Sequence, residues 1–383
     1  MKVGWEYKRF DQLMTPAKVE RCGGREDIPV LSITMHGGIV KQKERFNKTI
    51  ASTDTSNYKV VKDGQLVIAF PIDEGLLYTQ DVAKEGIMSP AYNIWDVDYS
   101  KIDRKFLVSY FHSRFAFSYY KAKLRGSTQR RRSMDKADLL SMPIPVPPLA
   151  VQHQIVAELD LLSGSIEKQK AQLEELDKLS QSIFYDMFEG KEWDKKLIRN
   201  IAIVKIGPFG SALHKHDYIS GGTPLVNPIH MVNGKIIADN EFTIDDNKKR
   251  ELSAYLLKEN DIVFGRRGDI GRCALVTKKE DGYICGTGSL FVRFNIEINP
   301  IYSLLQLSSN ETKHYLMDNA RGATMLNLNS GVVEGITIPL PPLSLQQEFA
   351  AKVEAIESMK AKVRQSLKEA ETLFNSRMDY YFN

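Results

Sequence analysis

The chain has 383 residues, 43% of them hydrophobic and 26% charged, with a net charge of +4. That balance describes a soluble globular protein with enough chain for two ordinary domains. No run approaches the roughly 18 apolar residues that cross a bilayer. The first residues, Met1 to Tyr7, lack the apolar core of a signal peptide, so a cytoplasmic location without membrane contact is expected.

Residues 1–148 read as a first globular domain. Short apolar runs such as Gly64 to Phe70 alternate with turn-forming clusters such as Asp54-Thr55-Ser56-Asn57, the pattern of strands joined by loops. From Lys105 to Leu124 aromatic residues recur at spacings of three and four, which predicts one helix buried on one side. Residues 101–136 hold eleven Lys or Arg against two Asp, a net of +9 within a chain whose total is +4. Such asymmetry points to a surface that faces a polyanion.

A stretch that occurs twice follows. Pro143-Ile144-Pro145-Val146-Pro147-Pro148-Leu149-Ala150-Val151-Gln152 returns 194 positions later as Thr337-Ile338-Pro339-Leu340-Pro341-Pro342-Leu343-Ser344-Leu345-Gln346. Alternate prolines fix φ and make each strap extended. After each strap the pattern turns helical. Ile155, Leu159, Leu162, Ile166, Leu173, Leu176, Ile183 and Met187 follow the four-and-three spacing of a coiled-coil seam, interrupted at Gln169 and Ser180. Phe349, Val353, Ile356, Val363, Leu367, Ala370, Phe374 and Tyr381 form the second seam, with Lys360 where the first has Ile166. A helix of about 38 residues spans roughly 57 Å and needs a partner along its length. Pairing the two helices with each other is the simplest solution, and antiparallel pairing is favoured, with the globular domains related by a pseudo-twofold axis. The organisation is therefore 1–148 domain, 149–190 helix, 191–342 domain, 343–383 helix, in an α/β (α+β) class.

The second domain opens with Trp193-Asp194-Lys195, an echo of Trp5-Glu6-Tyr7, and is richer in glycine turns. Asn299-Pro300-Ile301-Tyr302 loosely resembles the Asn-Pro-Pro-Tyr of DNA amino-methyltransferases, but Ile replaces the second Pro and no Gly-rich methyl-donor motif accompanies it. A Walker A sequence, G-x-G-x-x-G after a strand, G-x-S-x-G and H-E-x-x-H are missing. His214 and His216 have no third metal ligand in view. Cys22, Cys273 and Cys285 are odd in number and have no C-x-x-C spacing, so neither zinc nor a disulfide framework is expected.

The stronger signals are for nucleic acid. Arg125, Ser127, Thr128, Gln129, Arg130, Arg131 and Arg132 combine flexible backbone, hydroxyls and guanidinium groups. Arg takes phosphate or, bidentately, guanine, and Gln takes adenine. Arg266, Arg267 and Arg272 flank glycines that admit a close phosphate. Gly210, Ser211, Lys215 and Asn327 share that character, and Arg321 and Thr324 stand in the loop before the second strap. Lys41, Ser56 and Asn57 are the candidates in the first domain.

Two variable domains, each followed by a Pro-x-Pro-Pro-Leu-x-x-Gln strap and a long helix, resemble the specificity subunit of type I restriction-modification systems. Gly207-Pro208-Phe209-Gly210-Ser211 and Asp54 to Tyr58 also read like target-recognition domains of that family. The resemblance covers the whole chain. It implies that each domain reads one half of a split double-stranded DNA site. It implies that the helices set the gap and dock two methyltransferase subunits, with motor-nuclease subunits joining for restriction. It implies no active site in this chain, with S-adenosylmethionine, ATP and Mg²⁺ belonging to the partners. A stand-alone DNA-binding scaffold, or a specificity protein of another methyltransferase assembly, is the alternative. A catalytic methyltransferase or nuclease is a third.

Overall fold

The structure is a computed structural model that describes residues 5–25, 27–35, 37–45, 54–125, 133–209, 212–268, 270–320 and 327–383. It divides into two compact units, Met1–Ala171 with Arg364–Asn383, and Gln172–Val363. Among the described residues no helix is long and apolar enough to cross a membrane.

The first unit is built on a four-stranded antiparallel sheet in the spatial order Met14–Pro16, Asn93–Val97, Leu66–Ile68, Leu77–Thr79. Leu66 and Ile68 pack with Trp95, Phe106, Tyr110 and Phe111 on one face, while Val67 joins Leu31, Ile39, Val61 and Met88 on the other. Both faces are covered, which is why this strand reads as an unbroken apolar run and not as an alternation. The aromatic stretch forms two helices, Arg104–Phe111 and Arg114–Lys123, not the single one its spacing predicts. The side chain of Ser113 accepts from the Ala116 N–H at 3.2 Å and starts a new helix, and Leu124 leaves it for a short strand paired with Met134.

The second unit repeats the plan. Its sheet runs Ala202–Ile206, Ser289–Phe294, Ile262–Gly265, Cys273–Leu275, all antiparallel. Ile262, Phe264, Leu290 and Val292 face one core and Val263, Ala274 and Phe291 another. Helices Pro300–Leu307 and Asn310–Asn319 follow, broken at a capping Ser309 as the first pair is at Ser113. An additional sheet joins Thr243–Ile244, Thr223–Val226 and Ile284–Cys285, the last two in parallel. The mixed class is therefore the one expected from the pattern.

The echoed openings and the straps are partners. Glu6–Arg9 pairs antiparallel with Pro143–Val146, and Lys195–Leu197 with Thr337–Pro339. A two-stranded ribbon tolerates proline because one edge needs no donor. The glutamine that closes each strap is buried and locks the junction. Gln152 Oε1 accepts from the Asp103 N–H at 2.6 Å, and its amide donates to the Lys101 and Pro147 carbonyls at 3.0 and 2.7 Å. Gln346 accepts from the Asn299 N–H at 2.9 Å and donates to the Pro341 carbonyl at 2.8 Å.

The long helices are Leu149–Phe188 and Leu343–Phe382, 40 residues each. In the first unit Glu158 pairs with Arg377 and Tyr381, and Gln169 Nε2 donates to Ser366 Oγ at 2.7 Å. In the second unit Asp177 meets Lys360 at 2.7 Å, and Phe184 and Phe188 pack on Phe349 with centroids 5.7 and 5.2 Å apart. Numbers rise on one helix as they fall on the other, so the pairing is antiparallel within each unit. Lys360, in the seam where the first copy has Ile166, is only 5% exposed and is held by Asp177 and Glu357.

Candidate nucleic-acid interface

In the second unit several loops that the sequence singled out close on one another. The strand Ile262–Gly265 ends where the Gly265 N–H donates to the Arg272 carbonyl at 2.8 Å. The next residue, Arg266, donates its N–H to the Gly288 carbonyl at 3.0 Å and accepts from the Leu328 N–H at 2.9 Å. Arg266 Nε donates to Asn327 Oδ1 at 3.2 Å, and Arg267 bridges Asn327 through the backbone. Burial and the neighbouring Arg267 charge push the Arg266 guanidinium below its ordinary range.

Glycines make this closeness possible. A Cβ at Gly207 would lie 2.0 Å from the Gly286 carbonyl oxygen, and one at Gly286 would lie 2.3 Å from Asn227 Oδ1. Asn227 Oδ1 accepts from the Gly288 N–H at 3.2 Å, and Arg272 Nη1 donates to the Pro228 carbonyl at 3.3 Å. The loops 207–209, 227–230, 265–268 and 286–288 thus form one knot with Asn327. Phe209 and Ile229 project from it, 67% and 71% exposed. Lys215 is exposed in a 3₁₀ turn, Lys215–Asp217, beside His214 and His216, whose rings stack at 5.3 Å. Among the described residues no group of three metal-binding side chains occurs.

In the first unit Lys41 and Ser56 line a cleft of about 700 Å³ together with Arg25, Lys43, Ile28 and Pro29. Lys41 pairs with Glu44 at 2.9 Å and Arg25 with Glu85 at 3.2 Å. The Ser56 N–H donates to Asp54 Oδ1 at 2.9 Å, and the Ser56 side chain and N–H together hold the Asp54 carboxyl below its usual range. The Asn57 carbonyl accepts from Arg21 Nη1 at 2.7 Å. Arg21, Arg25 and Lys43 were not among the candidates read from the sequence; the fold brings Arg21 to Asn57 and places Arg25 and Lys43 in the cleft with Ser56.

The basic stretch needs correction. Lys101 pairs with Asp98, Arg104 with Asp63, Lys105 with Asp160 and Arg114 with Asp379. All four acids come from outside residues 101–136. Arg125 is 71% exposed and lies 2.7 Å from Asp135 and 3.6 Å from Asp138. Exposed pairs of this kind stabilise little, but they cancel the field, so the excess of +9 counted along the chain is not a patch of that size in space. Ser127, Thr128, Gln129, Arg130, Arg131, Arg132, Gly210, Ser211, Arg321 and Thr324 lie outside the described residues.

The methyltransferase-like tetrapeptide has a structural use. Asn299 Oδ1 caps the helix Pro300–Leu307 by accepting from the Ile301 and Tyr302 N–H groups at 2.9 and 3.2 Å. Tyr302 is fully buried and donates to the Pro339 carbonyl at 2.8 Å. The three cysteines are buried free thiols, and burial pushes Cys273 up to about 12.

Comparison with known proteins agrees with this architecture. The chain is similar to the EcoBI specificity subunit of a type I restriction enzyme of Escherichia coli, 21% identical over 266 residues that cover 61% of this chain and 56% of that protein. It is similar to the StySPI specificity subunit of Salmonella potsdam, 24% identical over 252 residues, covering 61% and 54%. The chain spans just over half the length of these relatives. Among solved structures, a chain from work on complex assembly and conformational transition of the type I R-M system superposes with a TM-score of 0.65 at 15% identity, covering 100% of this chain and 98% of the other. The S subunit of a type I restriction-modification system from M. genitalium gives 0.56 at 14% identity, covering 99% and 97%. These likenesses speak for the fold. The family described as the type I restriction modification DNA specificity domain matches twice, over residues 25–178 and 191–371. With most of its length in those two matches, the chain belongs to the type I restriction-modification DNA specificity family.

Proposed function

We propose that this chain is the non-catalytic DNA sequence-specificity subunit of a type I restriction-modification assembly, working in the cytoplasm. Each unit reads one half of a split site in double-stranded DNA. The observation that carries this reading is the double family match laid over one repeated sheet plan with two different loop surfaces. A non-palindromic split site needs two different readers, and a repeated scaffold with diverged loops provides them. In the second unit the readers are Arg266, Arg267 and Asn327, and in the first the cleft beside Lys41, Ser56 and Asn57. Arginine and asparagine are the side chains that recognise guanine and adenine bidentately.

The long antiparallel helices set the number of base pairs between the half-sites and dock two methyltransferase subunits. Leu161, Leu179, Met359, Leu373 and Tyr380 support the docking role, since these large apolar side chains are 76%, 43%, 45%, 50% and 60% exposed on the two helices. S-adenosylmethionine, ATP and Mg²⁺ serve the methyltransferase and motor-nuclease partners.

The test is co-expression with the neighbouring methyltransferase subunit, followed by methylome sequencing of the host DNA. A single split motif, methylated only when this chain is present, is the expected result, and exchanging residues 191–336 should alter one half only. No new methylation, together with failure to co-purify with the methyltransferase, would instead favour a stand-alone DNA-binding scaffold.

A further inference from the structure

One turn of the second unit is tied both to the sheet that carries Arg266 and to the helix pair. Asn233 and Gly234, each with positive φ, close the hairpin between Met231–Val232 and Lys235–Ile236. The Leu275 N–H donates to the Gly234 carbonyl at 3.0 Å, so the turn is fixed to the strand Cys273–Leu275. That strand pairs with Ile262–Gly265, which leads into Arg266. On its other side the turn meets the helix Leu343–Phe382, where Lys235 Nζ lies 2.7 Å from Glu357 Oε2. The second oxygen of Glu357 takes Lys360 Nζ at 2.9 Å, and Lys360 reaches Asp177 of the other long helix at 2.7 Å. A chain of four charges thus joins hairpin, helix and partner helix.

Stability does not account for this chain. Exposed ion pairs contribute little, and Lys360 is only 5% exposed in a seam position where, 194 residues earlier, the first copy has Ile166. The counterpart of Glu357 in the first copy is Ser163. The charges therefore belong to the second copy and not to the repeated scaffold. An apolar side chain would hold the seam at least as well, and a buried charge there serves register and geometry. The geometry at stake is an angle. Near the helix start the unit is held by Tyr302 against Phe188, with centroids 4.8 Å apart, and by Phe188 against Phe349. Attachment at one end of the helix leaves room to pivot. Glu357 stands beyond Phe349 by about 12 Å along the axis and supplies a second point. We propose that Glu357, through Lys235 and Lys360, is a positioning residue that fixes the angle of the second reading unit on the helix pair and so restricts the gap between half-sites. The proposal rests on the reading of the chain as a specificity subunit. A gap changed by one base pair displaces a half-site by about 3.4 Å and turns it by about 35°, which a unit free to pivot would tolerate better.

The experiment uses the full chain assembled with its methyltransferase subunit. Duplexes carry the motif found by methylome sequencing with its gap unchanged, one base pair longer or one base pair shorter, and binding is followed by fluorescence anisotropy. The unsubstituted protein should bind the unchanged gap most tightly. Lys235→Met should cut that preference by up to about fivefold, the most an exposed ion pair supplies, and leave the base preference within each half-site as it was. Lys235→Arg should keep the parent's gap selectivity. Lys360→Ile, which gives the seam the residue of the first copy, should also weaken gap selectivity while its thermal unfolding stays at or above the parent's. Gap selectivity equal to the parent's in both Lys235→Met and Lys360→Ile overturns the proposal. So does a matching loss of base preference, which would make these residues part of the reading surface. A parent that binds no split motif removes the specificity reading itself. A parent whose gap selectivity survives both substitutions removes only the positioning role of Glu357.

Discussion

A side chain has no room at Gly207. Its Cβ would sit 2.0 Å from the Gly286 carbonyl oxygen and 2.9 Å from the Cys285 carbonyl oxygen, backbone against backbone, with no flexible group able to give way. Gly207→Ala should therefore cost about 3 kcal/mol through overpacking. Urea denaturation followed by a probe in the second unit should show the midpoint fall at unchanged slope. A midpoint within error of the parent would mean that the loops do not meet as closely as described. Because the same contact positions Gly286, and through it Asn227 and the Gly288 carbonyl that receives Arg266, the variant should also weaken DNA binding. At this scale the sequence was partly legible. Arg266, Arg267 and Asn327 stood out by residue type, and the fold brings them within hydrogen-bond distance. The charge counted along residues 101–136 overstates the field in space for a physical reason. Coulomb interactions depend on distance in space, and Asp63, Asp160 and Asp379 reach those cations from far along the chain.

At the scale of elements the junction between strap and helix is the unit to test. Gln152 is fully buried and satisfies one N–H and two carbonyl groups at once. Removing it leaves those backbone groups buried without partners, so Gln152→Ala should lower the stability of the first unit by about 2–4 kcal/mol. Gln152→Glu should be worse at neutral pH, because a carboxylate cannot donate to the Lys101 and Pro147 carbonyls. Its folded-state pKa would be raised, so the deficit should shrink as pH falls towards the unfolded carboxyl value of about 4.3. Thermal unfolding across pH 4–7 checks both statements, and a Glu variant as stable as the parent at pH 7 would refute them. The repeated strap made this junction visible in the sequence, because the glutamine recurs at the same offset. The long helices were equally legible, since a seam sustained at four-and-three spacing fits a paired helix and cannot be laid on a strand of period two. The break at Ser113 was missed because aromatic spacing runs through it. The signal available was the repeat itself, in which Ser309 occupies the corresponding place and caps a helix in the same way.

At the scale of the whole molecule the helix pair carries the prediction with the widest consequence. Contacts that fix the register recur along it: Glu158 with Arg377, Gln169 with Ser366, Asp177 with Lys360, Phe188 with Phe349. A heptad removed from both helices keeps the seam facing its partner to within about 20°. Residues 164–170 and their antiparallel counterparts 365–371 are suited to this, because the ion pairs of Glu158 and Lys360 remain on either side. The loss of seven residues shortens each helix by about 10.5 Å, close to three base-pair steps of B-DNA. The shortened chain, assembled with its methyltransferase subunit, should methylate a motif with unchanged half-sites and a gap about three base pairs smaller. Removing the heptad from one helix alone sets Asp177 against a residue other than Lys360 and should abolish methylation instead of shifting the gap. A motif that keeps its original gap after the paired deletion would show that the helices hold the units but do not measure the DNA. The spacing would then have to come from the partner subunits.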